Sequence, residues 1–375
     1  GAVKCWGRNT NGQLGDNSTT QRLTPVDVVG LGSGVAAISA GQYHTCALTT
    51  AGAVKCWGYN FYGQLGDNST TQRSTPVNVV GLASGVAAIS AGERHTCALT
   101  TVGAVKCWGR NDSGQLGDNS TTQALTPVNV SGLGSGVAAI SVGVHHTCAL
   151  TTVGAVKCWG RNDFGQLGDN STTYRLTPVD VVNLGSGVAA ISTGENHTCA
   201  LTTAGAVKCW GYNLYGQLGD NSTANRLTTV DVSGLGSGVV AISAGGFHAC
   251  ALTTAGAVKC WGYNFNGQLG DNSTANRLTP INVTGLGSGV AAISAGGFHT
   301  CSLITTGAVK CWGNNAYGQL GDGSTTDRST PVDVVSLGSG VSTISAGQSH
   351  ACALTTAGAV KCWGRNTNGQ LGDNS

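Results

Sequence analysis

The chain has 375 residues, among them 60 glycines and 15 cysteines, no methionine, 10% charged residues and a formal net charge of +2. That composition suits a turn-rich all-β protein and suits a helical one poorly. The even spread of charge excludes a basic or acidic patch for nucleic acid, and no apolar run of about 18 residues or more is present to span a membrane. The chain begins at Gly1 with neither an initiator methionine nor a signal peptide, as a processed product, a trimmed piece or a window on a longer protein would.

In chain order, Ala2 to Trp6 form a first strand candidate, followed by a polar loop, Gly7 to Arg22, centred on Gly-Gln-Leu-Gly-Asp-Asn-Ser. Leu23 to Val29 form the second, and Pro25, which lacks a backbone donor, places it at an edge. After the turn Gly30 to Gly34 come Val35 to Ala40, a turn at Gly41 and Gln42, and a fourth strand, His44 to Thr50. The fourth strand and the next copy of the first make a hairpin over His44 to Gly58, with Thr50, Ala51 and Gly52 as a three-residue turn. The last position of such a turn is left-handed, which Gly52 adopts without steric cost. This register sets Leu48 against Val54, Ala47 against Lys55 and Cys46 against Cys56, the cysteines at a non-hydrogen-bonded pair close enough for a disulfide.

The unit repeats without insertion. Gly-Ala-Val-Lys-Cys-Trp-Gly begins at Gly1, Gly52, Gly103, Gly154, Gly205, Gly256, Gly307 and Gly358, always 51 residues apart. Seven periods fill residues 1–357, and Gly358 to Ser375 repeat Gly1 to Ser18 letter for letter. The expectation is one domain over 1–375, an all-β, seven-bladed β-propeller of four-stranded antiparallel blades. The narrow Val-Ala-Ala-Ile-Ser-Ala strand goes innermost, where all blades converge, and the proline strand goes to the rim. N- and C-terminal strands then close the ring, leaving no free edge.

Seven hairpin disulfides are expected: Cys46–Cys56, Cys97–Cys107, Cys148–Cys158, Cys199–Cys209, Cys250–Cys260, Cys301–Cys311 and Cys352–Cys362, with Cys5 left over. They point to an oxidising, extracellular or cell-surface setting. Zinc is disfavoured because the short Cys-x-x-Cys spacing is missing; the alternative is a set of buried free thiols serving as small apolar groups.

The pattern Gly-x-x-His-Thr-Cys-Ala-Leu-Thr, then Gly-Ala-Val-Lys-Cys-Trp-Gly-x-Asn-x-x-Gly-Gln-Leu-Gly-Asp, resembles the regulator of chromosome condensation repeat over essentially the whole chain. The resemblance implies a seven-bladed propeller serving as a binding platform. Members include a chromatin-bound exchange factor for a small GTPase and secreted bacterial proteins, one of which inhibits β-lactamases. This chain has no wedge insertion and no basic N-terminal tail, and it carries paired cysteines. Those departures argue against nucleotide exchange and favour the secreted bacterial branch.

The repeats differ mainly in two loops: the turn before the histidine and the loop after Trp-Gly. In an up-and-down blade both connections lie on one face, which gathers Tyr43, Tyr59, Phe61, Tyr62, Arg94, Arg110, Arg161, Phe164, Tyr212, Tyr215, Phe247, Tyr263, Phe265, Phe298 and Tyr317. Aromatic and arginine side chains on loops of a rigid scaffold suit recognition of a protein or glycan partner. The competing explanation is drift in exposed loops.

No catalytic constellation, metal site or cofactor is expected. His44, His95, His146, His197, His248, His299 and His350 stand one per blade, so symmetry spreads them around a ring, each bonding the inner-turn backbone; His145 is the one extra. The tryptophans pack between blades, and Gly-Gln-Leu-Gly lacks the lysine and helix of a phosphate loop. Asn17, Asn68, Asn119, Asn170, Asn221 and Asn272 precede Ser-Thr, and Asn111, Asn129, Asn196 and Asn282 also match the glycosylation motif; turn chemistry is the preferred explanation.

The expected function is an extracellular binding scaffold. The alternative is a subunit of a surface fibre or array, self-associating by exchange of the duplicated terminal strand. An exchange factor or an enzyme inhibitor ranks below both.

Overall fold

The computed structural model describes residues 4–7, 11, 15–19, 22–41, 43–316, 318–335, 337–348, 350–356 and 360–364. They are all-β, arranged as the four-stranded antiparallel blades of a β-propeller, with a blade count consistent with seven. The repeat spanning Val35–Ala40, His44–Thr49, Val54–Gly58 and Arg73–Asn78 shows the pattern. These strands pair in sequence order, so Val35–Ala40 is one edge and the proline-bearing Arg73–Asn78 is the other, as the missing proline donor requires.

Two compact units divide the chain. The described residues within 1–163 and 171–186 form one; those within 164–170 and 187–366 form the other. The first holds three complete blades, over 35–78, 86–129 and 137–180, and a two-stranded sheet of Lys4–Gly7 with Arg22–Asp27. The second holds blades over 188–231, 239–282 and 290–333, and a three-stranded sheet of Val341–Ala346, His350–Thr355 and Val360–Gly364. Of the two identical terminal segments, it is the C-terminal one that pairs with His350–Thr355, while the N-terminal one pairs with Arg22–Asp27.

The hairpin register is the expected one: Cys46 opposes Cys56, Ala47 opposes Lys55 and Leu48 opposes Val54, with Gly52 at φ 78°. Disulfides join Cys46–Cys56, Cys97–Cys107, Cys148–Cys158, Cys199–Cys209, Cys250–Cys260 and Cys301–Cys311, each across a Cα–Cα distance of 4.1 Å. That is the close approach of a non-hydrogen-bonded antiparallel pair. Cys352 and Cys362 are opposed in backbone register; their side chains, and that of Cys5, lie outside the described residues.

The core lies between consecutive blades. Cys199, Leu201, Val207, Cys209, Leu218 and Val232 of one blade bury themselves against Ala249, Ala251 and Trp261 of the next. Trp108 and Trp159 enter the preceding blade's core in the same way in the first unit, as does Trp312 in the second. A polar clamp overlies this packing. The Gln64 carbonyl accepts Trp108 Nε1–H at 2.9 Å and the Thr96 hydroxyl at 3.0 Å, both from the next blade. Because Thr96 donates to Gln64, it must accept from His44 Nε2, 2.7 Å away, which fixes the proton on Nε2. His44 therefore joins two blades through a threonine hydroxyl, a correction to the expected backbone bond within the turn. His95 reaches Thr147 and His248 reaches Thr300 in the same manner. At His197 the equivalent partner is Ala249, and Nε2 is buried without a hydrogen bond.

The asparagine of each described Asn-Ser-Thr motif sits in a turn. Asn17, Asn68, Asn119, Asn170, Asn221 and Asn272 all have φ between 61° and 66°, a left-handed conformation that asparagine tolerates. Where the sequence changes to Gly323, φ is 78°. Asn111 is 1% exposed, its amide donating to Asp118, Ser120 and Thr122, so its matching motif is inaccessible to a glycan.

Candidate functional site

In each complete blade the second variable loop starts at the glycine of Trp-Gly, a position only glycine can fill. At Gly109, φ is 104°, and an added Cβ would lie 2.6 Å from the Arg94 carbonyl oxygen and 2.9 Å from His95 Cα. That close approach brings the two variable loops of a blade together. Backbone N–H groups of Tyr59, Arg110, Arg161, Tyr212, Tyr263 and Asn314 donate to the carbonyls of Tyr43, Arg94, His145, Asn196, Phe247 and Phe298 respectively, at 2.9–3.0 Å. The bases of these loops are rigid as well. The buried Asn60 accepts Leu65 N–H and donates to Asp67, Ser69 and Thr71, and Asp67 pairs with Arg73 at 2.7 Å. Burial alone would raise the Asp67 pKa, but bonds from Arg73, Ser69 and Asn60 outweigh it and hold the carboxyl below its usual range.

In the first unit the loops form a mixed aromatic and charged patch. Tyr43, Tyr59, Phe61 and Tyr62 follow one another at ring-centroid distances of 6.0, 6.4 and 5.1 Å. Arg94 lies 5.4 Å from the Tyr62 ring centre and donates to its hydroxyl at 3.2 Å, and Arg110 lies 5.5 Å from the same ring. Beyond them is an open polar cleft of about 320 Å³ lined by Arg110, Asp112, Ser113, His145, Arg161 and Tyr174. Asp112 neutralises Arg110, Asp163 neutralises Arg161, and Tyr174 donates to Asp163 at 3.0 Å. His145 lies 3.7 Å from Glu93, yet burial first, then Arg110 and Arg161, push its pKa down to about 4. The pair is therefore a contact between a neutral ring and a carboxylate at neutral pH.

In the second unit the patch is nearly all aromatic. Phe164, Tyr212, Tyr215, Phe247, Tyr263, Phe265 and Phe298 form one unbroken series, with closest centroid distances of 4.8 Å for Phe164–Tyr212 and 4.9 Å for Tyr215–Tyr263. Edge-to-face geometry dominates, which holds the rings in fixed orientations. Tyr317 lies outside the described residues. Among the residues singled out from sequence, those named in the two patches are brought together unit by unit. Glu93, Asp112, His145, Asp163 and Tyr174 were missed as members of the first patch. The first four stand in the same variable loops, so position would have found them; Tyr174 comes from a loop that varies less and gave no signal. Among the described residues, no group of three or more His, Cys, Asp or Glu side chains could hold a metal ion, and no helix is long and apolar enough to cross a membrane.

Comparison with known proteins follows the same pattern. The family model described as the RCC1-like domain matches residues 83–375, and models of the regulator of chromosome condensation (RCC1) repeat match 1–48, 51–99 and 35–64. The chain belongs to the RCC1 repeat family. Among RCC1-repeat relatives, it is 34% identical over 345 residues to the ultraviolet-B receptor UVR8 of Arabidopsis thaliana, covering 90% of this chain and 78% of that one. It is 32% identical to the E3 ubiquitin-protein ligase HERC2 of Homo sapiens over 95% of its own length, but spans only 8% of that protein. The solved structure of yeast RCC1 (Prp20) bound to Kap60 superposes with a TM-score of 0.78 at 22% identity, covering 99% of this chain and 89% of the other, a likeness that shows the propeller fold.

Proposed function

We propose that this protein is an RCC1-type binding scaffold that works outside the reducing cytosol, as a member of the secreted bacterial-like branch. It presents the two loop patches to a protein or glycan partner and has no catalytic role. One observation carries this proposal: in each of the six complete blades among the described residues, a backbone hydrogen bond fastens together the two loops in which the repeats differ. Variation is thus concentrated on a rigid support, the arrangement that binding surfaces use. Yeast RCC1, solved in complex with Kap60, is a precedent for protein binding by this fold. Six disulfides among the described residues support an oxidising location. The test is affinity capture from the source organism's culture medium with the oxidised chain and with a Tyr62→Ser, Tyr215→Ser, Tyr263→Ser variant. A ligand retained by the first and lost by the second is expected; equal retention by both overturns the proposal.

A second proposal, a fibre or array subunit, draws on the terminal duplication. The C-terminal copy pairs with His350–Thr355, leaving the N-terminal copy bonded to Arg22–Asp27 on its other side. If Lys4–Gly7 of one chain displaced Val360–Gly364 of another, chains would join by strand addition. Non-reducing peptide mapping would then show Cys5 linked to Cys352 of a second chain, and scattering mass would grow with concentration. A monomer at all concentrations with Cys352 linked to Cys362 rules this arrangement out.

A further inference from the structure

We propose that the aromatic patch of the second unit docks an uncharged, apolar segment of a protein partner, with Leu214 and Phe265 as its principal contacts. This rests on the loops being a recognition surface, and it adds which unit supplies the affinity and what chemistry the partner presents.

The third residue after Trp-Gly is the tip of the loop in every complete blade. It is Phe61, Asp112, Asp163, Leu214, Phe265 or Ala316, and in each case the side chain is exposed while the preceding asparagine is buried. The fold therefore leaves this position's identity free, and packing does not demand an apolar residue there. Leu214 is nevertheless 55% exposed and Phe265 64% exposed. Leu214 stands in the same loop as Tyr212 and Tyr215, and Phe265 packs against Tyr263 at 5.1 Å, so two exposed apolar side chains adjoin the series of rings, a patch of the kind that marks interaction sites. The floor is held by ring-to-ring contacts, so little side-chain freedom is lost on binding.

Electrostatics selects the occupant. Burial raises the pKa values of Tyr212 and Tyr263, with Tyr215 as the further contributor to each, and no charged side chain acts on either. Among the described variable positions of the second unit, Glu195 is the one charged residue, with Asp327 accepting from Asn266 at 2.9 Å beside them; the first unit carries Glu93, Arg94, Arg110, Asp112, Arg161 and Asp163. An anion set on the aromatic floor would lose its hydration against negative ring faces, and a cation would meet ring faces without a carboxylate among the tips Leu214, Phe265 and Ala316. A glycan fits less well at the tips: Phe164, Leu214, Phe247, Phe265 and Phe298 offer no hydrogen-bonding side-chain group, so sugar hydroxyls over them would find partners only at the tyrosines and asparagines of the floor. An apolar peptide segment meets neither penalty.

The test uses the intact oxidised chain as bait for short random peptides displayed on phage, with cellohexaose and chitohexaose binding measured in parallel. Selected peptides are then titrated against the wild type, a Leu214→Ser, Phe265→Ser variant and an Arg94→Gln, Arg110→Gln variant. All substituted side chains are at least partly exposed, and unchanged thermal midpoints show that the variants fold. The expected result is enrichment of uncharged apolar peptides whose affinity drops roughly tenfold or more in the tip variant, is unchanged in the arginine variant, and is little altered up to about 0.5 M salt. Charged peptides that depend on the arginines overturn this inference and leave the recognition surface intact. Oligosaccharide binding lost in the tip variant, without peptide enrichment, overturns it in favour of a glycan. Peptides indifferent to both variants, or no binding of any probe, overturn it together with the recognition surface itself.

Discussion

On acidification the thermal midpoint stays level down to about pH 7 and then falls steeply between pH 6.5 and pH 4. His44 and His197 have pKa values pushed down to about 4, and His95 and His248 to about 3, in every case chiefly by burial. An unfolded chain takes up protons at these positions below pH 6.5, whereas the folded chain does so only near pH 4 or lower. The unfolded state thus binds more protons throughout that window, so stability is full above 6.5 and is lost as pH falls. Each histidine contributes a slope of roughly 1.4 kcal/mol per pH unit. Protonation also places a charge at a blade junction whose one acceptor, the threonine oxygen, is already used. Replacing His197, which has no threonine partner, by leucine should flatten the slope by one proton while breaking no hydrogen bond. Scanning calorimetry across pH 8 to 4 checks this, and a midpoint that is level from pH 7 to 5 would show that the buried rings do not control acid stability.

Trp261→Ala should lower stability by about 3–5 kcal/mol, because the ring is fully buried in the core shared with the preceding blade and its removal leaves a large cavity. A subtler pair separates packing from the clamp. Trp261→Phe keeps an aromatic ring but removes the N–H that donates to the Gln217 carbonyl, where the neighbouring blade offers Ala249 in place of threonine. Trp312→Phe removes the equivalent bond to Gln268, yet the Thr300 hydroxyl still donates to that carbonyl at 3.0 Å. Trp261→Phe is therefore expected to cost about 1–3 kcal/mol through an unpaired buried carbonyl, and Trp312→Phe clearly less. Denaturant titrations of the two variants decide it; equal losses would mean that the carbonyl clamp adds nothing to ring packing.

Much of this protein was legible in its residues because the signals are local and repeated. Glycine at the left-handed turn position sets the hairpin register, the register opposes the cysteines, and proline without a donor marks an edge strand. These depend on neighbours in sequence, and a period of 51 residues without insertion carries them through the chain. The candidate surface was legible in part for the same reason, since positions that vary among near-identical repeats stand out.

What sequence could not give is anything decided by which blade follows which. The histidine looked like a turn residue, yet its partner is a threonine 52 positions away. The glutamine of Gly-Gln-Leu-Gly looked like loop chemistry, but its carbonyl takes the indole N–H of the next blade. Tyr174 joins the charged patch only because its loop folds back onto Asp163. The split into an aromatic and a charged patch likewise follows from contacts between successive loops. The strands, their register, the six hairpin disulfides of the described residues and the loops that vary were readable from residues alone, because each rests on backbone geometry within a few residues. The inter-blade clamp, the neutral state of the buried histidines and the grouping of the variable residues emerge on folding, because burial and hydrogen bonding there are supplied by neighbouring repeats.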